Sequence, residues 1–410
     1  MGGLPKQGQT LEEVKDLLLN EIKKLRAGEF DEKMLQANIN NFKLYELQSM
    51  ESNEGRADIF VNSFINGTNW EDEVTAIDRM AKLTKEDIVA FADKYLKEDN
   101  YAVVYKKQGK DPNEKKMTKP EITPIVSNRD VASPFLTSIQ ENAVKPIEPV
   151  FLDFKKDMSQ LTAKSDIPVL YKQNTTNDLF QLIYVFDMGN NNDKALGTAF
   201  DYLEYLGTSD MTPEELKSEF YRLACTFYVS PGNERTYVVL SGLNENMPAA
   251  MQLFEKLLAD AQVNKEAYNN LVGDILKARA DAKLNQGQNF SRLMNYAMYG
   301  PKSPATNLLT EAELASMNPQ KLVDRIHNQN NYKHRILYYG PSSSKDLLAT
   351  IDQYHQVPAT LKDIPAGNEF SYLETPATKV LVAPYEAKQI YMAQISNLDK
   401  KYDPAIEPTR

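Results

Sequence analysis

Apolar residues near the start of the chain recur at helical spacing. Leu11, Val14, Leu18, Ile22 and Leu25 lie three or four residues apart, which predicts an amphipathic helix over residues 10–27. Thr10 and Glu13 form a capping box at its start, because a hydroxyl and a carboxylate three residues on satisfy each other's amides. Gly28 supplies the left-handed stop. Further helices are predicted from an N-cap at Asp31 to about Met50, near Arg56–Ile65, near Glu71–Ala81, and from a capping box at Thr84 and Asp87 to about Leu96. Glu71, Asp72 and Glu73 complement a helix N-terminus, and Trp70 before them is expected to plug a core. Tyr101–Lys106 has the β-branched and aromatic content of a strand.

The pattern then lapses. Residues 107–165 carry Pro112, Pro120, Pro124, Pro134, Pro146 and Pro149, which predict an arm without regular elements. Ile122, Phe135, Val150 and Phe151 are expected to anchor that arm along a surface. Beyond Ser165 the period changes to that of strands: Ile167–Lys172 and Leu179–Asp187 are predicted to pair across the turn-rich Gln173–Asp178. A central stretch follows, Phe200–Ala224, with a helix predicted over Thr212–Cys225. Thr226–Ser230 and Arg235–Leu240 read as a hairpin around Pro231–Glu234. Helices are predicted at about Met247–Ala261, Lys265–Lys283 and Asn289–Tyr299, so the fold class is α+β.

The two helical stretches repeat one another. Phe30-Asp31-Glu32 and Val263-Asn264-Lys265 each open the second helix of a unit, about 233 residues apart. Leu83-Thr84 and Met317-Asn318 open the last helices at nearly the same offset, and Tyr101–Tyr105 matches Arg335–Tyr339 as a closing strand. The later copy has a strand-rich half over 166–246 that the earlier copy lacks, so residue 1 is expected to fall inside a domain. Lys379–Ala383 and Gln389–Ile395, joined over Pro384–Lys388, resemble the opening strands of a third copy.

Composition narrows function only by exclusion. The 410 residues carry a formal charge of −10, which argues against a general nucleic-acid partner because phosphate binding needs clustered Lys and Arg. No apolar run is long enough to form a transmembrane segment. The single Cys225 excludes an internal disulfide framework. His327, His334 and His355 include no pair four residues apart on one helix face, and each is expected to be a surface or capping residue. Gly340–Ser344 lacks the frame of a phosphate-binding loop and reads as the start of a linker. The 22 tyrosines are expected at half-buried rims of helices and sheets more than along a binding chamber.

The repeated α+β units, the proline-rich arm, Gly207–Leu216 (GTSDMTPEEL), Leu240–Met251 (LSGLNENMPAAM) and Tyr339-Gly340-Pro341 together resemble the pitrilysin/insulinase family of zinc metallopeptidases. The resemblance implies antiparallel sheets packed with helices, in units that enclose a peptide chamber. It divides the chain into the helical half and closing strand of a second unit (1–106), an inter-half arm (107–165), a complete third unit (166–340), a linker (341–374) and the start of a fourth unit (375–410). Active units of the family carry H-x-x-E-H, whose paired imidazoles hold Zn²⁺ while the Glu activates water. Here the motif falls on Asp201 to Tyr205: Asp201 and Tyr205 stand where the histidines belong, and only Glu204 keeps its place. Glu266 and Asp274 lie near where a further ligand would come from, and are expected to be solvated helix residues. The implied chain is therefore a non-catalytic segment, without cofactor or metal of its own, that helps hold a peptide or unfolded polypeptide substrate. Zinc is expected in a missing N-terminal catalytic unit, that unit or a partner subunit is the expected protein partner, and the bacterial periplasm or cell envelope is the expected compartment. The alternatives are an inactive homologue serving as scaffold or partner subunit, and a generic α+β binding module.

Overall fold

The structure is a computed structural model and describes residues 1–6, 8–109, 117–124, 131–387 and 389–397. In chain order the helices are α1 Leu11–Ala27, α2 Lys33–Ser49, α3 Asn53–Asn66, α4 Trp70–Val74, α5 Ala76–Met80, α6 Lys85–Tyr95 and α7 Pro134–Gln140. They continue with α8 Leu196–Leu203, α9 Pro213–Arg222, α10 Met247–Asp260, α11 Lys265–Lys283, α12 Gln286–Tyr299, α13 Glu311–Ser316, α14 Gln320–Asn328 and α15 Ser344–Tyr354. The strands are β1 Ser159–Ala163, β2 Ile167–Gln173, β3 Leu179–Phe186, β4 Cys225–Pro231, β5 Thr236–Leu243 and β6 Arg335–Gly340. The fold class is α+β, as the sequence predicts.

The chain forms two compact units. The first joins Met1–Phe30 to Thr84–Asp157, and the second joins Asp31–Leu83 to Met158–Arg410. In the first, α1 begins at the capping box of Thr10 and Glu13 and ends at Gly28, whose φ is 72°. It packs on α6, where Arg26 Nε meets Asp93 at 2.9 Å and Lys85 Nζ donates to the Phe30 carbonyl at 3.1 Å. Residues 101–106 are not a strand. They have no partner strand among the described residues, and Tyr105 instead donates its hydroxyl to Glu12 at 2.7 Å. The arm does hold one helix, α7, entered by Ser133 as N-cap with Pro134 in its first turn, where proline's missing amide costs nothing. Ile122, Phe135, Val150 and Phe151 are exposed, so they do not anchor the arm as expected.

In the second unit the strands form one sheet in the order β1-β2-β6-β3-β5-β4. All neighbours run antiparallel except β2 and β6. β2 and β3 are consecutive in sequence yet do not pair; β6 lies between them, with Leu337 opposite both Leu170 and Ile183. The predicted β2–β3 pairing is thus replaced by an insertion from about 160 residues downstream. On one face of the sheet, Val169, Ile336, Leu182, Tyr184, Val238 and Leu240 are buried against α8, α10, α14 and α15. Met247, Ala250, Met251, Phe254, Leu257 and Leu258 give α10 an apolar stripe at helical spacing that is wholly buried. Each large side chain so buried contributes roughly 1.5–3 kcal/mol.

α2 brings Leu44 against Leu179, Ala224 and Leu243 at one end of the sheet. α3 and α12 open at Asn53 and Gln286 and are each 14 residues long. Trp70 is half exposed and stacks on Phe60, so it is not a core plug. Residues 341–374 are more than a linker. Ser343 caps α15 by accepting from the Asp346 amide, and Leu347 and Ile351 are fully buried. Residues 379–383 and 389–395 join no sheet, and the turn expected between them reaches Lys388, outside the described residues. Their neighbourhood is tied to helices instead: Leu373 N donates to Met298 O at 2.7 Å, and Gln286 Nε2 donates to Gln389 O at 2.7 Å.

Candidate functional site

The residues at the expected motif positions sit at the end of α8. Its start is fixed by Asn190, whose Oδ1 accepts from Gly197 N at 2.9 Å, and by Asp193, which accepts from Ala195 N and pairs with Arg325 Nε at 2.7 Å. Tyr202 locks the helix to the start of α11: its hydroxyl donates to Asn264 O at 2.6 Å and accepts from Asn264 N at 2.8 Å. Leu203 is the last helical residue, so Glu204 is the cap and Tyr205 lies past the end. The exit tightens to three-residue bonding, Tyr205 N to Tyr202 O at 3.0 Å and Leu206 N to Leu203 O at 3.1 Å. Gly207 is required there, because a Cβ would run into the Met211 carbonyl of the turn that Thr208 N closes.

Asp201, Glu204 and Tyr205 are all exposed. Loss of hydration among neighbouring side chains, and then the like charge of Glu204, raise the Asp201 carboxyl above its usual range. Glu266 and Asp274 are exposed on α11. Among the described residues, no three His, Cys, Asp or Glu side chains come together in a way that could hold a metal ion. The donor set at the motif positions is two carboxylates and a phenol, which does not fit the nitrogen-rich tetrahedral site zinc takes in this chemistry.

Beside this helix end runs a groove of about 310 Å³. Five consecutive residues of β4, Cys225–Val229, form one wall, and Phe200, Leu203, Glu204, Lys217, Phe220 and Tyr221 of the α8–α9 region form the other, with Asn41 of α2 completing it. β4 is the last strand of the sheet, so one row of its backbone donors and acceptors has no strand partner among the described residues. The floor is aromatic: Phe227 packs tilted against Phe220, and against Phe254 beneath it, at centroid distances of 4.9 and 4.8 Å. Tyr228 keeps 53% of its surface exposed. The Cys225 thiol is buried, and loss of hydration pushes it up to about 12, so it is not a nucleophile at neutral pH.

α2 holds the groove's far side in place. Asn41 Nδ2 donates to Tyr221 O at 2.6 Å and Tyr221 donates its hydroxyl to Asn38 at 2.6 Å, while Asn246 Nδ2 donates to Leu223 O at 2.8 Å. Tyr221 O also accepts from Ala224 N at 3.0 Å, so Asn41 adds a second donor there, while Asn246 serves the Leu223 carbonyl at the C-terminus of α9. The sequence does not disclose this groove, because its walls come from segments far apart in the chain. The nearest signal is the aromatic run Phe227-Tyr228 on a strand next to a vacant motif.

The three histidines do not behave alike. His327 is half-buried and its Nε2 meets the Ala261 carbonyl at 3.1 Å. His334 and His355, expected at the surface, are buried in the core of the second unit beside a buried carboxylate, Glu255. Their partners stand 21 and 100 residues away in sequence, out of reach of any local pattern.

No family model matches the chain, and no curated protein matches it. Solved structures to which it is similar include the periplasmic protease PqqL from Escherichia coli, at 14% identity and a TM-score of 0.48, over 91% of this chain and 41% of that one. A peptidase M16 inactive domain from Pseudomonas fluorescens is 15% identical over 53% of each chain, with a TM-score of 0.43. A variant of the ferredoxin protease FusC in complex with Arabidopsis ferredoxin is 10% identical over 86% of this chain and 42% of that one, with a TM-score of 0.45. The chain thus spans less than half the length of PqqL and FusC. Among the described residues no helix is long and apolar enough to cross a membrane.

Proposed function

We propose that this chain is the non-catalytic, peptide-holding part of a pitrilysin/insulinase-like zinc peptidase, with zinc carried by a unit outside these residues. The observation that carries the reading is the groove along β4. An extended peptide laid there would add a strand to the sheet, its backbone bonding to the open edge of β4 and one side chain resting on the aromatic floor. Such binding tolerates varied sequences, because the main chain supplies most of the bonds. The end of α8 that borders the groove carries carboxylates and a phenol in place of paired imidazoles, which favours holding over cutting. The proposed compartment is the bacterial cell envelope, on the family resemblance alone.

Binding of a fluorescent, unstructured peptide to the full chain, followed by anisotropy, tests this. Tyr228→Ala removes the exposed aromatic side chain of this edge strand, which would lie beside an added strand on the face opposite Phe227, and should weaken binding about five- to tenfold, as for an aromatic contact of 1–1.4 kcal/mol. Absence of binding, or an affinity indifferent to Tyr228 and to Lys217→Glu on the opposite wall, would overturn the proposal.

A further inference from the structure

Glu255 on α10 is almost wholly buried, yet all of its oxygen capacity is used. Oε1 accepts from the Tyr184 hydroxyl at 3.0 Å and faces His355 Nδ1 at 2.6 Å; Oε2 accepts from Asn330 Nδ2 at 2.9 Å and from the Gln356 amide at 3.0 Å. His355, directly after α15, places its other nitrogen 2.9 Å from Nε2 of His334. His334 Nδ1 meets the Tyr332 carbonyl at 2.7 Å. Phe186 and Tyr184 flank the rings, with centroids 4.6 Å from His334 and 4.3 Å from His355 respectively.

The hydrogens in this chain of bonds can be counted. A carbonyl only accepts, so His334 Nδ1 carries a hydrogen. A neutral His334 then has a bare Nε2, and the contact between the two rings needs a hydrogen on His355 Nε2. A carboxylate taking three other donors leaves His355 Nδ1 as the fourth. Glu255, His355 and His334 therefore share three hydrogens, which with Glu255 ionised and His334 neutral puts two on His355 and one on His334. Only this proton count completes every bond. One proton more, on His334, sets N–H against N–H at 2.9 Å and places two cations side by side.

We propose that Glu255, His355 and His334 form an acid latch: uptake of one proton by His334 breaks the bond between the imidazoles and releases α15 with residues 355–365 from the core, while the sheet remains folded. The network is the tie between the end of α15 and α10, and it lies beyond the peptide groove. The segment is also held by Leu347 and Ile351 in the core, and by bonds from Lys164 to Asp352, Ser165 to the Pro358 carbonyl, Asn192 to the Pro365 carbonyl and Lys362 to the backbone of Asn331 and Lys333, so the latch sets the balance of release and is not its sole restraint. The charged neighbours of His334 in sequence are engaged elsewhere, Lys333 with Asp363 and Arg335 with Asp187. Tyr184 stays neutral, because burial and then the Glu255 charge push its phenol well above the usual range. Burial, and then the charge of His355, lower the His334 ring to about 4, against 6.5 for a solvated ring. The released ring is thus the better base, and falling pH favours release.

Hydrogen exchange of the full chain, corrected for the pH dependence of exchange itself, reads this directly. Between about pH 7 and about pH 4.5, the amides of α15 and residues 355–365 should lose at least about tenfold in protection while β3 and β5 keep theirs. His334→Gln offers an acceptor to His355 and a donor to Tyr332 without a titrating ring, and should flatten that dependence. Loss of protection in helix and sheet together, a flat profile in the native chain, or an unchanged drop in the variant would each overturn the proposal. Nitrogen NMR of the imidazoles decides the matter even if the variant does not fold. At about pH 7 the two rings and Glu255 should share three hydrogens, one of them on His334 Nδ1, and both rings doubly protonated at that pH would refute the latch.

Discussion

A carboxylate can serve zinc, but a phenol at its ordinary pKa near 10 gives up its proton too reluctantly to replace an imidazole. At the end of α8 that handicap is joined by two others: Tyr205 lies past the helix, and Asp201 binds its own proton more tightly than usual. We therefore expect the full chain, purified without chelator and dialysed, to hold zinc well below one equivalent by elemental analysis. One-to-one zinc that disappears in Asp201→Ala would refute this. Residue roles of this kind were only half legible in the sequence. Spacing singles out Asp201, Glu204 and Tyr205 without showing what they do, and it does not disclose the burial of His334 and His355. That burial depends on Glu255, Tyr184 and Asn330, which reach the same point from α10, β3 and the turn after α14.

Elements were legible where their signals are local. The capping boxes at Thr10 and Thr84 form, and Thr212 caps α9, because partners three residues apart meet whatever the rest of the chain does. α7 and α15 carried comparable signals, Ser133-Pro134 and Ser343 to Asp346, beneath the proline-rich and serine-rich composition that suggested loops. Residues 101–106 and 379–395 have the side chains of strands, but a strand exists only where another strand accepts its hydrogen bonds, and pairing is not written in composition. The cap on α9 is of the non-local kind. Asn41→Ala withdraws an amide from a helix C-terminus and from one wall of the groove, and should cost about 1 kcal/mol. Urea denaturation should show it as a lower midpoint at unchanged slope, and an unaltered midpoint would mean that water replaces the amide without loss.

At the scale of the whole molecule, the second unit draws its core from residues on both sides of the arm, since α2 packs on α9 and against the sheet end that Leu179 and Leu243 form. The insertion of β6 between β2 and β3 has a consequence for the order in which this unit can come into being. As the chain leaves the ribosome, β1 with β2 and β3 with β5 and β4 can each pair early, but they remain two ribbons with open inner edges. Only when Arg335–Gly340 emerges does one strand bond to both and turn them into a single sheet. Until then Ile183 and Leu170 face no neighbour across that gap, and an open apolar edge is a template for pairing between chains. A chain ending at residue 334 should therefore be recovered mainly in the insoluble fraction, while one ending at residue 366 should be soluble; equal solubility would show that the two ribbons are stable apart. Whatever nascent-chain factor attends this protein has its decisive interval between the synthesis of the fifth strand and the arrival of the sixth.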